Sequence, residues 1–210
     1  MRPKRIKLSP QAANTSGFAA GVTGSSWPLT ATSAGDFVAH RVTITNNSLT
    51  DHSTKTATLV GTDADGHRQT EVLALPAASA TVISSKYFKT LESVTPSASI
   101  GADTMDIGWN DQISSQTVPI DFYQNYEPSV AIVPSGTISA TVQTTSSDVF
   151  ALDRGDQSSF DWIDDSSLVA VTVPTRAKIS NYPPVAVRVI TNSFSSGASL
   201  EVDIISTRQY

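Results

Sequence analysis

The sequence predicts an all-β protein: two antiparallel β-sandwich or barrel-like modules behind an extended N-terminal arm. Three observations carry this. Ser and Thr make up about a quarter of the 210 residues and charged residues only 16%, a composition of strands and turns rather than of helices. Apolar residues recur with period two in many short stretches, and no long helical period is present. Turn residues punctuate these stretches at intervals of about 8–12 residues, as in sandwiches.

Residues 1–36 form the arm. RIKL (5–8) reads as a short strand with Ile6 and Leu8 on one face. The following Gly, Ser, Pro and Ala show no sustained period, so an extended path is expected. Phe18 and Trp27 are isolated large apolar groups there. Left in water they cost stability, so the arm is expected to pack on the body or on a neighbouring subunit.

The first module spans 37–112. FVAHRVTIT (37–45) alternates, with Val38, His40, Val42 and Ile44 on one face. KTATLVG and RQTEVLALP flank Asp63-Ala64-Asp65-Gly66 as a hairpin, with Gly66 supplying the positive φ of the turn. Pro76 ends the second strand because it cannot donate to the ladder. SATVISS, KYFKTLESVTP and SASIGADTMDIGW follow, with Gly101-Ala102-Asp103 read as a second hairpin turn. Residues 113–128 are polar, contain two prolines and carry Phe122, Tyr123 and Tyr126, and read as a linker. The second module, 129–210, holds VAIVP, GTISATVQ, LVAVTVP, PVAVRVITN and GASLEVDIIS, the last two as a pair around Ser195-Ser196-Gly197. In the acidic loop between the second and third of these, SSFDWIDDSSL suggests one helical turn, with Ser159 as cap and Asp161 in the first turn.

Net charge is −5. Arg2, Lys4, Arg5 and Lys7 concentrate basic charge at the tip, leaving 10 basic against 19 acidic side chains elsewhere, a net of −9. Such a body repels phosphates, so no direct nucleic-acid binding is expected. The absence of cysteine excludes disulfides, thiolate metal sites and thiol nucleophiles. No apolar run approaches the ~18 residues of a membrane span, and no signal-peptide core follows the basic tip. No membrane association is expected.

Candidate chemistry is sparse. Asp63-x-Asp65-Gly66 resembles the start of a calcium loop, but the twelfth position would be Ala74, where a bidentate Glu is needed. The turn therefore reads as hairpin geometry. Asp148, Asp153, Asp156, Asp161, Asp164 and Asp165 lack fixed ligand spacing and read as a solvated loop. His40, His52 and His67 fit no metalloprotease or triad pattern, and there is no nucleophile elbow or phosphate loop. No catalytic residue, cofactor or metal is expected. The candidate partner-binding residues are Arg2, Lys4, Arg5, Lys7, Phe18 and Trp27. The basic tip suits an acidic surface, including that of another copy of this chain.

From Gly61 to Trp109 the sequence resembles a module common in tailed-bacteriophage virion proteins. Its "GxDxxG…TExxxL" hairpin and "T…KxFxxxxSVT" strand pair match at Gly61, Asp63, Gly66, Thr70, Glu71, Leu75, Phe88, Ser93, Val94 and Gly101. GTISATVQTTSSDVFALDRGD with PVAVRVITNSFSSGASLEVDII is similar to a companion module, although Ser147 before Asp148 leaves its acidic pair incomplete. The resemblance covers about residues 37–206. It implies a non-enzymatic structural component of a virion, made in the host bacterial cytoplasm and present as a homo-oligomer. Such a protein binds neighbouring virion proteins: the major capsid protein on the capsid surface, as decoration or cement, or portal, adaptor or tail proteins at the neck and tail. The alternative is a carbohydrate- or receptor-binding sandwich with Trp109, Tyr123, Tyr126 or Trp162 as sugar platforms, Trp162 best placed because Asp161 and Asp164 flank it.

Overall fold

The computed structural model describes residues 4–120, 126–151, 154–179 and 184–208. In chain order the strands are β1 (Lys4–Leu8), β2 (Asn14–Val22), β3 (Ala39–Asn46), β4 (Thr56–Thr62), β5 (Arg68–Ala74), β6 (Thr81–Phe88), β7 (Thr90–Pro96) and β8 (Met105–Ser114). They continue with β9 (Val118–Pro119), β10 (Tyr126–Ser135), β11 (Ile138–Thr145), β12 (Ile163–Asp164), β13 (Thr175–Lys178), β14 (Ala186–Phe194) and β15 (Ser199–Arg208). Helix among the described residues is confined to a 3-10 turn, Gln157–Ser159. The fold is all-β and every described strand pairing is antiparallel. The chain divides into a proximal unit, Gln11–Asp111, and a distal unit, Met1–Pro10 with Gln112–Tyr210.

The proximal unit is a sandwich. One sheet is β5-β4-β7; the other contains β8-β3-β6, with β2 paired to β8. Strict alternation in β4 sends Ala57, Leu59 and Gly61 inward. There they meet Val42, Ile44, Leu91, Met105 and Ile107 in one core. β3 begins at Ala39, two residues later than its alternation suggests. Phe37 instead sits in a turn with φ 62°, its residue 87% exposed. The Gly101 turn joins β7 of one sheet to β8 of the other, so it is a corner between sheets and not the expected hairpin. Residues 11–36 contain a strand that period two does not reveal. β2 shifts register between Asn14 and Ala19 and again between Ala19 and Val22, which breaks the alternation.

The module motif is structural residue by residue. A Cβ at Gly61 would lie 2.0 Å from the Thr90 carbonyl, so glycine permits the close β4–β7 approach. Asp63 Oδ1 accepts the N–H groups of Asp65 and His67 at 2.9 and 2.8 Å, closing the turn, and Gly66 takes φ 90°. Glu71 on β5 accepts the Ser85 and Lys86 N–H groups of β6 at 2.7 and 3.0 Å. It thereby clamps an edge of one sheet to an edge of the other. Leu75, Phe88 and Val94 are core.

In the distal unit one sheet has the order β1-β15-β10-β13, and β12-β11-β14 form a second, with β9 on β14. Leu8, Val130, Ile132, Leu200, Val202 and Ile204 are buried from the first sheet; Ile138, Ala140, Val142, Val187 and Val189 from the second. Gly136 (φ 75°) carries the chain from β10 to β11, and Gly197 (φ 78°) from β14 to β15. Each turn therefore crosses between sheets, and the expected pairing across Ser195–Gly197 does not form. The helical turn starts earlier than expected: Asp156, not Ser159, is the N-cap. In the stretch 113–128, Ile113 and Ser114 end β8 and β9 pairs with Ala186 and Val187; Phe122 and Tyr123 lie outside the described residues.

Candidate functional site

The basic tip folds onto an acidic strand of its own chain. Alternation in β1 turns Leu8 inward and Arg5 and Lys7 outward, while Lys4, at the strand's start on the Leu8 face, is also exposed. Antiparallel register then sets Arg5 opposite Asp203 and Lys7 opposite Glu201 on β15. Arg5 donates from Nε to Asp203 Oδ1 at 2.7 Å and from a terminal nitrogen to Oδ2 at 3.1 Å, a two-pronged grip. It also reaches Glu201 at 3.0 Å, where Lys7 Nζ lies 3.3 Å away. The Arg5 hydrogen bond holds the Asp203 carboxyl below the usual carboxylate range, and the same bond raises the Arg5 guanidinium. Lys4 faces Ile204 across the ladder and Arg2 lies outside the described residues. The acids of β15 are legible in the sequence as E-V-D at period two. Their pairing with R-I-K needed the register of strands nearly 200 residues apart.

Phe18 and Trp27, the apolar candidates of the arm, are 1% and 5% exposed in the proximal core. Phe18 meets Trp109 edge-on at 5.0 Å between centroids. A Cβ on Gly17 would fall 2.1 Å from the Trp109 ring, so the strand lies flat against the indole.

The histidines hold loops. The His40 ring donates from Nε2 to Asp36 at 2.7 Å, and both side chains are almost fully buried. Asp36 also accepts the N–H groups of Gln11 at 2.7 Å and Val38 at 3.1 Å, bracketing Phe37. Burial alone pushes the Asp36 carboxyl up. The His40 bond and the two backbone N–H groups outweigh it and leave the carboxyl below its ordinary value. His52 is 2.9 Å from Asp103 and 3.2 Å from Lys55 Nζ, tying loop 47–55 to the Gly101 corner.

The acidic loop is a series of local caps. Asp148 accepts the Phe150 N–H, Asp156 the Ser158 N–H and Asp165 the Ser167 N–H, at 2.9, 2.8 and 3.0 Å. Asp153 lies outside the described residues. Among the described residues no three His, Cys, Asp or Glu side chains are placed to hold a metal ion. Trp162 carries the Arg188 guanidinium over its ring at 4.3 Å and donates to the Gln157 carbonyl at 2.8 Å. Arg188 donates to Gln143 at 2.8 Å, and Gln143 in turn binds Asp164 at 2.7 Å. One face of the proposed sugar platform and one flanking acid are thus already engaged. Trp109 is buried and offers no platform; Tyr123 lies outside the described residues, and Tyr126 begins β10.

No protein-family model matches the chain, and no curated protein is significantly similar to it. Among solved structures, the crystal structure of the major capsid protein P2 from Bacteriophage PM2 aligns over 99% of this chain and 98% of that one, at 8% identity and a TM-score of 0.22.

Proposed function

We propose that this chain is a non-enzymatic structural component of a tailed-phage virion, binding neighbouring virion proteins on the capsid surface or at the neck and tail. The observation that carries the reading is what the polar side chains do. His40, His52, Asp63 and Asp156, residues suited to chemistry, hold turns and loops of this fold, and Arg188 links β14 to β11. Gly61, Asp63, Gly66, Glu71, Leu75, Phe88 and Val94 of the virion-protein resemblance have packing, clamping or turn roles, as expected of a module used as a building block. The open strand edges and a solvent-facing aromatic supply surfaces for neighbours. The test is particle composition. Virions purified from a producing culture should contain this chain in a fixed ratio to the major capsid protein, and antibody against it should decorate intact particles. Label over the whole head assigns capsid decoration; label at one vertex assigns the neck or tail. Particles free of the chain refute the reading.

A further inference from the structure

We infer that β1 is an exchangeable strand: the β15 edge of one copy accepts β1 of a second copy, linking subunits through the same five-residue ladder. This deepens the structural reading above and rests on it for its purpose.

Four observations lead here. First, β1 is tied to the distal unit mainly by a ladder and by charge. Of its five residues only Leu8 is buried; Lys4, Arg5 and Lys7 are exposed. Second, the charge match is specific in register, with Arg5 on Asp203 and Lys7 on Glu201. That recognition is identical whichever chain supplies β1. Third, the hinge is short. Only residues 9–13 separate β1 from β2, and Gln11 is already bonded to Asp36 of the proximal unit. Pro10 restricts the paths by which so short a hinge can fold β1 back onto its own chain, and short hinges invite exchange when folding back strains them. Fourth, without β1 the edge of β15 exposes unpaired backbone groups beside Leu200, Val202 and Ile204, an edge that a proteinaceous strand of matching charge relieves. Exposed ion pairs are weakened by salt, so the strand leaves at the cost of its ladder and of one buried side chain, Leu8. Exchange costs no native contact, which is why it is a low-cost route to assembly.

The absence of cysteine makes the test clean. Lys7→Cys and Glu201→Cys place two thiols on directly opposed, exposed or half-exposed ladder positions. The full-length single variants are purified, mixed, passed through high salt and back, and oxidised. Exchange gives a disulfide-linked species of about twice 22.2 kDa containing one of each variant. A control mixture of Lys7→Cys with Thr172→Cys, an exposed residue of the same unit, should give roughly tenfold less, because only ladder partners are held together. The double variant Lys7→Cys/Glu201→Cys reports whether β1 reaches β15 at all. If it closes within one chain while the mixed singles give no more than the control, β1 stays at home and the inference falls. If the double variant forms no bond in either way, β1 does not sit on β15 and it falls as well. Both results leave the particle-composition test untouched, so failure of exchange and failure of the virion reading are separable.

Discussion

Asp36→Ala is the most informative single change. The carboxylate is nearly fully buried and receives three donors: Gln11 N–H, Val38 N–H and His40 Nε2–H. Hydrogen bonds to a charged acceptor are each worth about 1.5–3 kcal/mol and do not simply add. Removing the shared acceptor leaves buried donors unpaired at about 1–3 kcal/mol each, about 3–5 kcal/mol for the three together because such costs do not add fully. We expect a loss in that range for the proximal unit, a fall in Tm of roughly 15 °C or more. Urea unfolding followed by Trp27 and Trp109 emission measures it, since both indoles lie in this core. Asp36→Asn keeps an acceptor oxygen and should lose less. The pH dependence has a definite sign. The folded carboxyl lies below its ordinary value, so the stabilisation is present above the unfolded pKa of about 3.9 and disappears as pH falls through the lower folded value. Asp36→Ala should flatten that acid limb. A loss under about 1 kcal/mol, or an unchanged acid limb, refutes the view that this carboxylate anchors residue 11 and the start of β3.

Other consequences are equally direct. A Cβ at Gly108 would lie 1.9 Å from the Asn14 carbonyl, so Gly108→Ala should pry β2 from β8 and lower stability by several kcal/mol. Gly66→Ala, in open space at φ 90°, should cost only about 1–2 kcal/mol in the same melt. Arg188→Ala should uncover the Trp162 ring and shift its emission to the red, while leaving the proximal unit's unfolding unchanged. Amide exchange at residues 4–8 should speed up in 1 M salt while β10 stays protected, since exposed ion pairs hold β1 and buried apolar groups hold β10.

The all-β class and the Thr56–Leu75 hairpin, whose strands end at Ala74, were legible from the residues alone. So were β1 and the turn role of Gly66. These follow from period-two burial and turn chemistry, which act between residues close in the chain. Thiol chemistry was excluded outright, because cysteine is absent. Which strands pair was set by contacts between residues distant in the chain. Gly101, Gly136 and Gly197 look alike as turn signals, yet all three carry the chain between sheets, because burial against an opposite sheet outweighs local hairpin closure. β2 was hidden because its register shifts erase alternation. Trp109 and Trp162 carry similar local signals, but one lies in a core and the other under Arg188. The meeting of Arg5 and Lys7 with Asp203 and Glu201 was likewise beyond local reading. Complementary charge is visible in a sequence, but register between strands almost the whole chain apart is set only when β10 and β15 have built the edge on which β1 lies.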